Sequence, residues 1–327
     1  MPPLALSPIR EGAFSFLYIG RDLGPRLQWR YMLDRLINFF HTVIPQTDIV
    51  WGGFSLHWYG LCVGLGVAVG MLLIWVTVRR TIEASERNDW LKHVANFAPL
   101  ILFCGAIGGR IAFILYHLDY FQLNPGEMPL IWHGGWVWYG ALLGGLLALI
   151  GYCRLVRIDV WRMADALVPG VTLGQAIGRW GNYFNQEAYG APTGLPWGIP
   201  IDEAHRVMGY EVFQYFHPTF LYESLGDLVL ALLLFYGAVR MAKQTQVRGC
   251  VALLFLISYG LMRFGLEAIR IDRVPVLAGL RVPQWSSLFL VAVACAVAVV
   301  LLSKRKSRVM LDTPLAPADV RGTHLDR

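Results

Sequence analysis

A chain of 327 residues that is 56% hydrophobic and only 15% charged, with a mean hydropathy of +0.50, is not a pair of water-soluble domains, which carry roughly 25% charge. Its formal net charge of +6 does not mark a nucleic-acid binder, because the basic residues collect in alternate loops between apolar runs. Five cysteines (Cys62, Cys104, Cys153, Cys250 and Cys295) fall in or at the ends of those runs without metal-ligand spacing. They read as buried thiols and argue against a zinc site or a disulfide framework.

The first 50 residues lack a compact apolar core followed by a small-residue cleavage site. No secretory signal peptide is expected, and the first span serves as an uncleaved targeting signal. Within the segment 1–56, Trp29, Leu33, Leu36, Phe40 and Ile44 recur at helical spacing with Arg30, Asp34 and Asn38 between them. That pattern predicts an amphipathic helix on the membrane surface.

Runs of about 20 apolar residues, enough to cross a bilayer core, then place spans near 57–78, 94–117, 130–151, 161–179, 219–240, 249–269 and 285–303. Arg79, Arg80, Arg87 and Lys92 follow the first span, and Arg154, Arg157 and Arg162 follow the third. Arg240, Lys243 and Arg248 follow the fifth, and Lys304, Arg305, Lys306 and Arg308 the last. The alternate connections carry no basic residue over 118–130 and Arg206 alone over 182–218. Basic loops and the C-terminal tail 304–327 therefore face the cytoplasm, and the N-terminus lies outside. The reading is an all-α polytopic membrane protein with seven transmembrane helices over 57–303 and an external, periplasmic head or arm over 180–218. Gly60 and Gly64, Gly66 and Gly70, Gly105 and Gly109, Gly140 and Gly144, and Gly170, Gly174 and Gly178 fall four apart. This spacing lets helix backbones approach closely within a bilayer.

Ionisable residues inside spans carry the chemistry. Tyr259, Arg263, Glu267 and Arg270 share one face of the sixth span, with Arg263 roughly 10 Å below the outer helix end. A charge at mid-helix costs roughly 2.5–3.5 kcal/mol on insertion, so such residues line a polar cavity or find partners. An Arg263–Glu267 pair satisfying itself is the plain structural alternative, and Arg270 reaches interfacial water. Arg110 lies in the outer half of the second span, and Arg179 closes the fourth. Asn182 and Gln186 continue the face of Arg179 if that helix persists. Tyr59 begins the first span, His133 and Tyr139 lie in the outer part of the third, and His217 and Glu223 open the fifth. Their common depth predicts a shared cavity. Asp165, near the inner start of the fourth span, suits the positive end of its own helix, whereas Asp227 fits no role. Guanidiniums at headgroup depth suit phosphate, so the residues alone point to an anionic lipid headgroup. A transporter of such a lipid or headgroup is the alternative. It predicts midplane charges and repeated halves, and neither pattern is visible here.

The run Gly178-Arg179-Trp180-Gly181-Asn182-Tyr183-Phe184-Asn185-Gln186-Glu187-Ala188-Tyr189-Gly190 resembles the signature of the prolipoprotein diacylglyceryl transferase family. His57-Trp58-Tyr59-Gly60, Gly108-Gly109-Arg110-Ile111, His217-Pro218-Thr219 with Leu221-Tyr222-Glu223, and Tyr259-Gly260 with Arg263 and Glu267 resemble further family motifs in the same order. Residues 1–50 and 304–327 fall outside the resemblance. It implies a bacterial inner-membrane enzyme that moves the diacylglyceryl group of phosphatidylglycerol to the lipobox cysteine of a preprolipoprotein. A thioether forms, glycerol phosphate leaves, and no metal or cofactor takes part. By position, Arg179 and Arg263 hold the phosphate, Asn182 orients the headgroup and Glu267 positions Arg263. Glu187 braces the signature turn, Tyr59 and Arg110 complete the lining, and Gly190 permits close backbone approach. The family's usual histidine at the start of the third span falls on Tyr139, with His133, six residues earlier, as the alternative base.

Overall fold

The computed structural model describes residues 33–35, 37–38, 41, 47–51, 54–130, 135–242 and 248–312. Leu33, Asp34, Arg35, Ile37, Asn38 and His41 are helical. Trp29, Leu36, Phe40 and Ile44 of the expected amphipathic helix lie outside the described residues. Strands β1 (Asp48–Trp51) and β2 (Phe54–His57) pair antiparallel and run directly into α1 (Trp58–Thr81). Then follow α2 (Arg87–Tyr116), the short α3 (Leu118–Leu123), α4 (Trp138–Leu155), α5 (Val160–Gly178) and α6 (Trp180–Phe184). Strands β3 (Ile199–Pro200) and β4 (Tyr215–Phe216) pair before α7 (Thr219–Met241) and α8 (Cys250–Glu267). A hairpin of β5 (Val276–Leu277) and β6 (Leu280–Arg281) leads into α9 (Val282–Asp312). Its two turn residues, Ala278 and Gly279, both have positive φ (49° and 79°), as a tight hairpin turn matched to strand twist requires.

Five helices among the described residues are long and apolar enough to cross a membrane: α1, α2, α7, α8 and the Val282–Ser303 part of α9. The protein is thus a mostly helical, polytopic membrane protein. One expected span differs from the prediction. The third does not begin near 130: residues 135–137 are not helical, Gly135 takes φ of 82°, and the helix starts at Trp138. The last span ends at Ser303, as expected, and its helix continues beyond it to Asp312.

The chain divides into two compact units. One contains the described residues up to Leu73, Gly170–Ala231 and Met262–Trp285; the other contains Ile74–Pro169, Leu232–Leu261 and the described residues from Ser286. In the first unit α1 and α5 touch backbone to backbone. A Cβ at Gly66 would lie 2.6 Å from the Gly174 carbonyl oxygen, and one at Gly70 would lie 2.7 Å from that of Gly170. In the second unit α2 and α4 cross with Gly108 against Gly140 and Gly144 against Cys104. Not every glycine in the predicted spacing packs in this way. A Cβ at Gly60, Gly64 or Gly178 would meet no described atom within 4 Å, and the closest glycine on α2 is Gly108.

Asp165 does not serve its own helix. Its Oδ2 accepts from Gly249 N at 2.6 Å and its Oδ1 from Ala252 N at 2.9 Å, which caps the start of α8. Those amides have no partner within a helix, so a carboxylate there satisfies both hydrogen bonding and the helix dipole.

The contrast among glycines is testable. Gly66→Leu should lower the thermal midpoint of the detergent-solubilised protein by several degrees, because the opposing atom is backbone and cannot rotate away. Gly64→Leu should leave it unchanged, and equal midpoints for the two variants would contradict the crossing.

Candidate active site

The signature run folds into a bent junction. Helix α5 ends with Arg179 N donating to Gln175 O at 3.0 Å, and five residues of α6 follow. Gln186 and Ala188 then take φ of 51° and 58°, a region that costs a residue with a Cβ about 1 kcal/mol or more. Several bonds hold the turn. Glu187 Oε1 accepts from Asn182 Nδ2 at 2.9 Å and from Asn185 Nδ2 at 3.3 Å, and Glu187 N donates to Asn182 O at 3.1 Å. Gln186 Oε1 accepts from Asp202 N at 2.7 Å, and Thr219 Oγ1 donates to Ala188 O. Gln186 therefore leaves the face of Arg179 instead of continuing it, because the helix stops at Phe184.

Gly190 sits where this turn meets two other segments. Its N–H donates to His217 O at 2.9 Å, it bridges Arg270, and Ala191 N donates to Ile269 O at 2.8 Å. A Cβ at Gly190 would lie 2.9 Å from carbons of His217, Ile269 and Thr219, so only glycine fits. Tyr183, Tyr189, Ile199, Ile201, Phe216 and Phe220 form a buried hydrophobic cluster that joins the segment 180–218 to the start of α7. Tyr189 Oη donates to His205 O at 2.7 Å and accepts from Val207 N at 2.8 Å. Burial pushes the Tyr183 phenol up to about 12 and raises that of Tyr189, so both keep their protons.

Alternating charges line the neighbouring helix ends. Arg179 Nη2 lies 2.6 Å from Glu223 Oε1, and Arg263 Nη1 lies 3.8 Å from Glu223 Oε2. Arg263 Nη2 is 2.8 Å from Glu267 Oε2, and Arg281 Nε is 2.8 Å from Glu267 Oε1. Glu223 and Glu267 are each 1% exposed. Arg270 Nε is 3.8 Å from Glu267 Oε2, while its Nη2 is 2.6 Å from Asp272 Oδ2. Four guanidiniums thus meet three carboxylates in these ion pairs. Arg263 Nη1 is buried and makes no hydrogen bond among the described residues; its ion-pair partner is Glu223 Oε2 at 3.8 Å.

The predicted residues fall into two groups. Arg179, Asn182, Glu187, Gly190, Arg263, Glu267 and Tyr59 belong to the first unit. The Tyr59 ring covers Gly181, where a Cβ would lie 2.7 Å from Cδ2. Arg270 differs from expectation: α8 ends at Glu267, and the Arg270 side chain is only 12% exposed and tied to Asp272. Arg110 and Tyr139 belong to the second unit. Arg110 donates to Glu127 O at 2.7 Å, Met128 O at 3.0 Å and Gly135 O at 3.4 Å, so it clamps the connection before α4. Tyr139 is 48% exposed, with its hydroxyl 2.8 Å from Ser286 Oγ. His133 lies outside the described residues. Asp227 is fully buried one turn after Glu223, and neither of its oxygens has a hydrogen-bond partner among the described residues. The bridging role of Glu223 and the contribution of Arg281 escaped the sequence reading. Glu223 was legible only as a polar group at the right depth, and Arg281 lies in a hairpin strand where no periodicity marks it.

The chain is thus a polytopic helical membrane protein with a buried arginine–carboxylate array beside a glycine-dependent turn. Comparison with known proteins narrows the class. The family model described as prolipoprotein diacylglyceryl transferase matches residues 47–300. Relatives named phosphatidylglycerol–prolipoprotein diacylglyceryl transferase include one from Gloeobacter violaceus, 41% identical over 260 residues, covering 79% of this chain and 92% of the relative. Another, from Synechococcus elongatus, is 38% identical over 244 residues, covering 74% and 82%. The chain belongs to the prolipoprotein diacylglyceryl transferase family.

Removing the shared carboxylate should expose its importance. Glu223→Ala leaves Arg179 and Arg263 without their common partner and should cost about 3–5 kcal/mol of stability. Glu187→Ala, whose contacts are exposed, should cost less than about 1 kcal/mol. Denaturation of both purified variants in detergent checks the contrast, and an unaltered midpoint for Glu223→Ala would contradict the array.

Proposed function

We infer that this chain transfers the diacylglyceryl group of phosphatidylglycerol to a cysteine thiol of a prolipoprotein, the first step of lipoprotein maturation. The buried array of Arg179, Glu223, Arg263 and Glu267 carries this reading, together with membership of the family. The thiol sulfur attacks the glycerol carbon that bears the phosphodiester. A C–S bond forms, the C–O bond breaks, and the bonding pair leaves with glycerol phosphate while the thiol proton is released. The phosphodiester enters with one negative charge, and further charge develops on the departing oxygen. Fixed guanidiniums aimed at that oxygen stabilise the transition state more than the ground state. Arg179 and Arg263 take that role, with Glu223 holding both.

Asn182, braced by Glu187, orients the headgroup, Tyr59 lines the site, and Gly190 keeps the turn closed. Arg110 acts by holding the connection ahead of α4. Tyr139 occupies the place of the family's usual histidine. Its role is to orient the thiol or the lipid phosphate by hydrogen bonding through its hydroxyl, which lies 2.8 Å from Ser286 Oγ. The nucleophile belongs to the substrate peptide, and none of the five cysteines is required.

The same reading places the chain in a bacterial inner membrane. Seven spans, with α4 and α5 among them, put the N-terminus and the segment 180–218 on the periplasmic side and the tail in the cytoplasm. The distribution of basic residues supports this orientation.

The purified protein, incubated with phosphatidylglycerol and a lipobox peptide, should add one diacylglyceryl mass to the peptide cysteine. Arg179→Ala and Arg263→Ala should each reduce the rate by about two to three orders of magnitude, the range for losing one transition-state donor. Tyr139→His should stay active and Tyr139→Phe should be slower. No mass increase with wild-type protein would refute the reading, and near-normal transfer by folded Arg263→Ala would refute the role of that arginine.

A further inference from the structure

We propose that Arg281 is a positioning residue for the transfer just inferred: it fixes Glu267 from outside the helix so that Arg263 is aimed. The proposal rests on that reading of the site. Arg281 spends its fork on three fixed acceptors. Nε donates to Glu267 Oε1 at 2.8 Å, Nη1 to Arg270 O at 2.8 Å and Nη2 to Asp272 O at 2.8 Å. Two of these acceptors are backbone carbonyls just beyond the end of α8, so the guanidinium is bolted to main chain. The third is a carboxylate that is 1% exposed and whose other oxygen meets Arg263 Nη2 at 2.8 Å.

Arg263 and Glu267 lie one turn apart on α8. Left to themselves, such a pair can rotate together without losing its contact. Arg281 removes that freedom by occupying the far oxygen, because planar bidentate-capable guanidinium geometry fixes direction as well as distance. The hairpin sets Arg281 itself. Its register pairs Val276 with Arg281, and Arg281 N donates to Gln284 Oε1 at 3.0 Å. The sequence of control therefore runs from hairpin to Arg281, to Glu267, to Arg263, and ends at Nη1, the donor without an internal hydrogen bond. Arg270, although nearer in sequence, cannot replace Arg281. It engages Asp272 and stands 3.8 Å from Glu267.

The test is steady-state transfer with phosphatidylglycerol varied and lipobox peptide fixed, normalised to folded protein. Arg281→Gln should raise KM for phosphatidylglycerol and lower kcat, together about 100-fold in kcat/KM, as expected for a misplaced catalytic group. Arg281→Lys, which keeps the contact with Glu267 but loses the fork, should recover part of the loss. On a Glu267→Gln background, Arg281→Gln should add no more than about twofold, because residues acting through one another are not additive. Wild-type kinetic constants in Arg281→Gln or Arg281→Lys would overturn the proposal, as would fully multiplicative losses in the double variant. A wild-type protein without transfer activity would instead refute the inferred function.

Discussion

Two carboxylates buried almost completely, Glu223 and Glu267, hold the arginine array of this molecule together. Guanidiniums brought together in a low-dielectric setting repel strongly, and each loses hydration that nothing apolar replaces. Glu223 lies between Arg179 and Arg263, and Glu267 between Arg263 and Arg281. Alternation of charge is what permits so many arginines in one place. Buried ion pairs of this kind are not efficient stabilisers, since apolar packing of equal volume generally serves as well. Their effect is to hold guanidinium donors in fixed directions.

The fold assembles this array from the ends of helices. Arg179 lies at the junction of α5 and α6, Glu223 in the first turns of α7, and Arg263 and Glu267 in the last turns of α8. Helix ends supply the irregular backbone that brings distant segments together. Gly190 touches both His217 and Ile269 there, and Arg281 finds the carbonyls of Arg270 and Asp272. The glycine crossing of α1 and α5 and the aromatic core around Tyr183 and Phe216 make these ends rigid. Positive φ at Gln186 and Ala188 is the conformational cost of the turn, offset by the bonds of Glu187 and Thr219.

Features governed by local periodicity were legible in the sequence. The Arg263–Glu267 pair follows from an i,i+4 spacing on a helix, and the apolar runs located the long helices. Features set by tertiary geometry were not. Glu223 is only a polar residue near a helix start until Arg179 and Arg263 converge on it, and Arg281 acquires meaning only through a hairpin turn. Arg270 was misread because helical phase was extended past Glu267, where α8 ends. Gln186 was misread for the same reason at Phe184. Asp165 carried the correct physics on the wrong helix, since a carboxylate near one N-terminus was free to cap another. The late start of α4 reflects Gly135, whose positive φ breaks a run that hydropathy alone joins.

The central claim is that the guanidiniums held by Glu223 and Glu267 receive an anionic lipid phosphate. Lipid binding without turnover tests it most directly, through the thermal midpoint of the purified protein as phosphatidylglycerol is added in detergent. A ligand that binds only the folded state stabilises it by about 2.7 kcal/mol at one hundred times its Kd, enough to raise the midpoint by a few degrees. The account predicts such a rise with phosphatidylglycerol, little with zwitterionic phosphatidylethanolamine, and none in a folded Arg179→Ala, Arg263→Ala double variant. Equal stabilisation by both lipids, or an undiminished rise in the double variant, would contradict it.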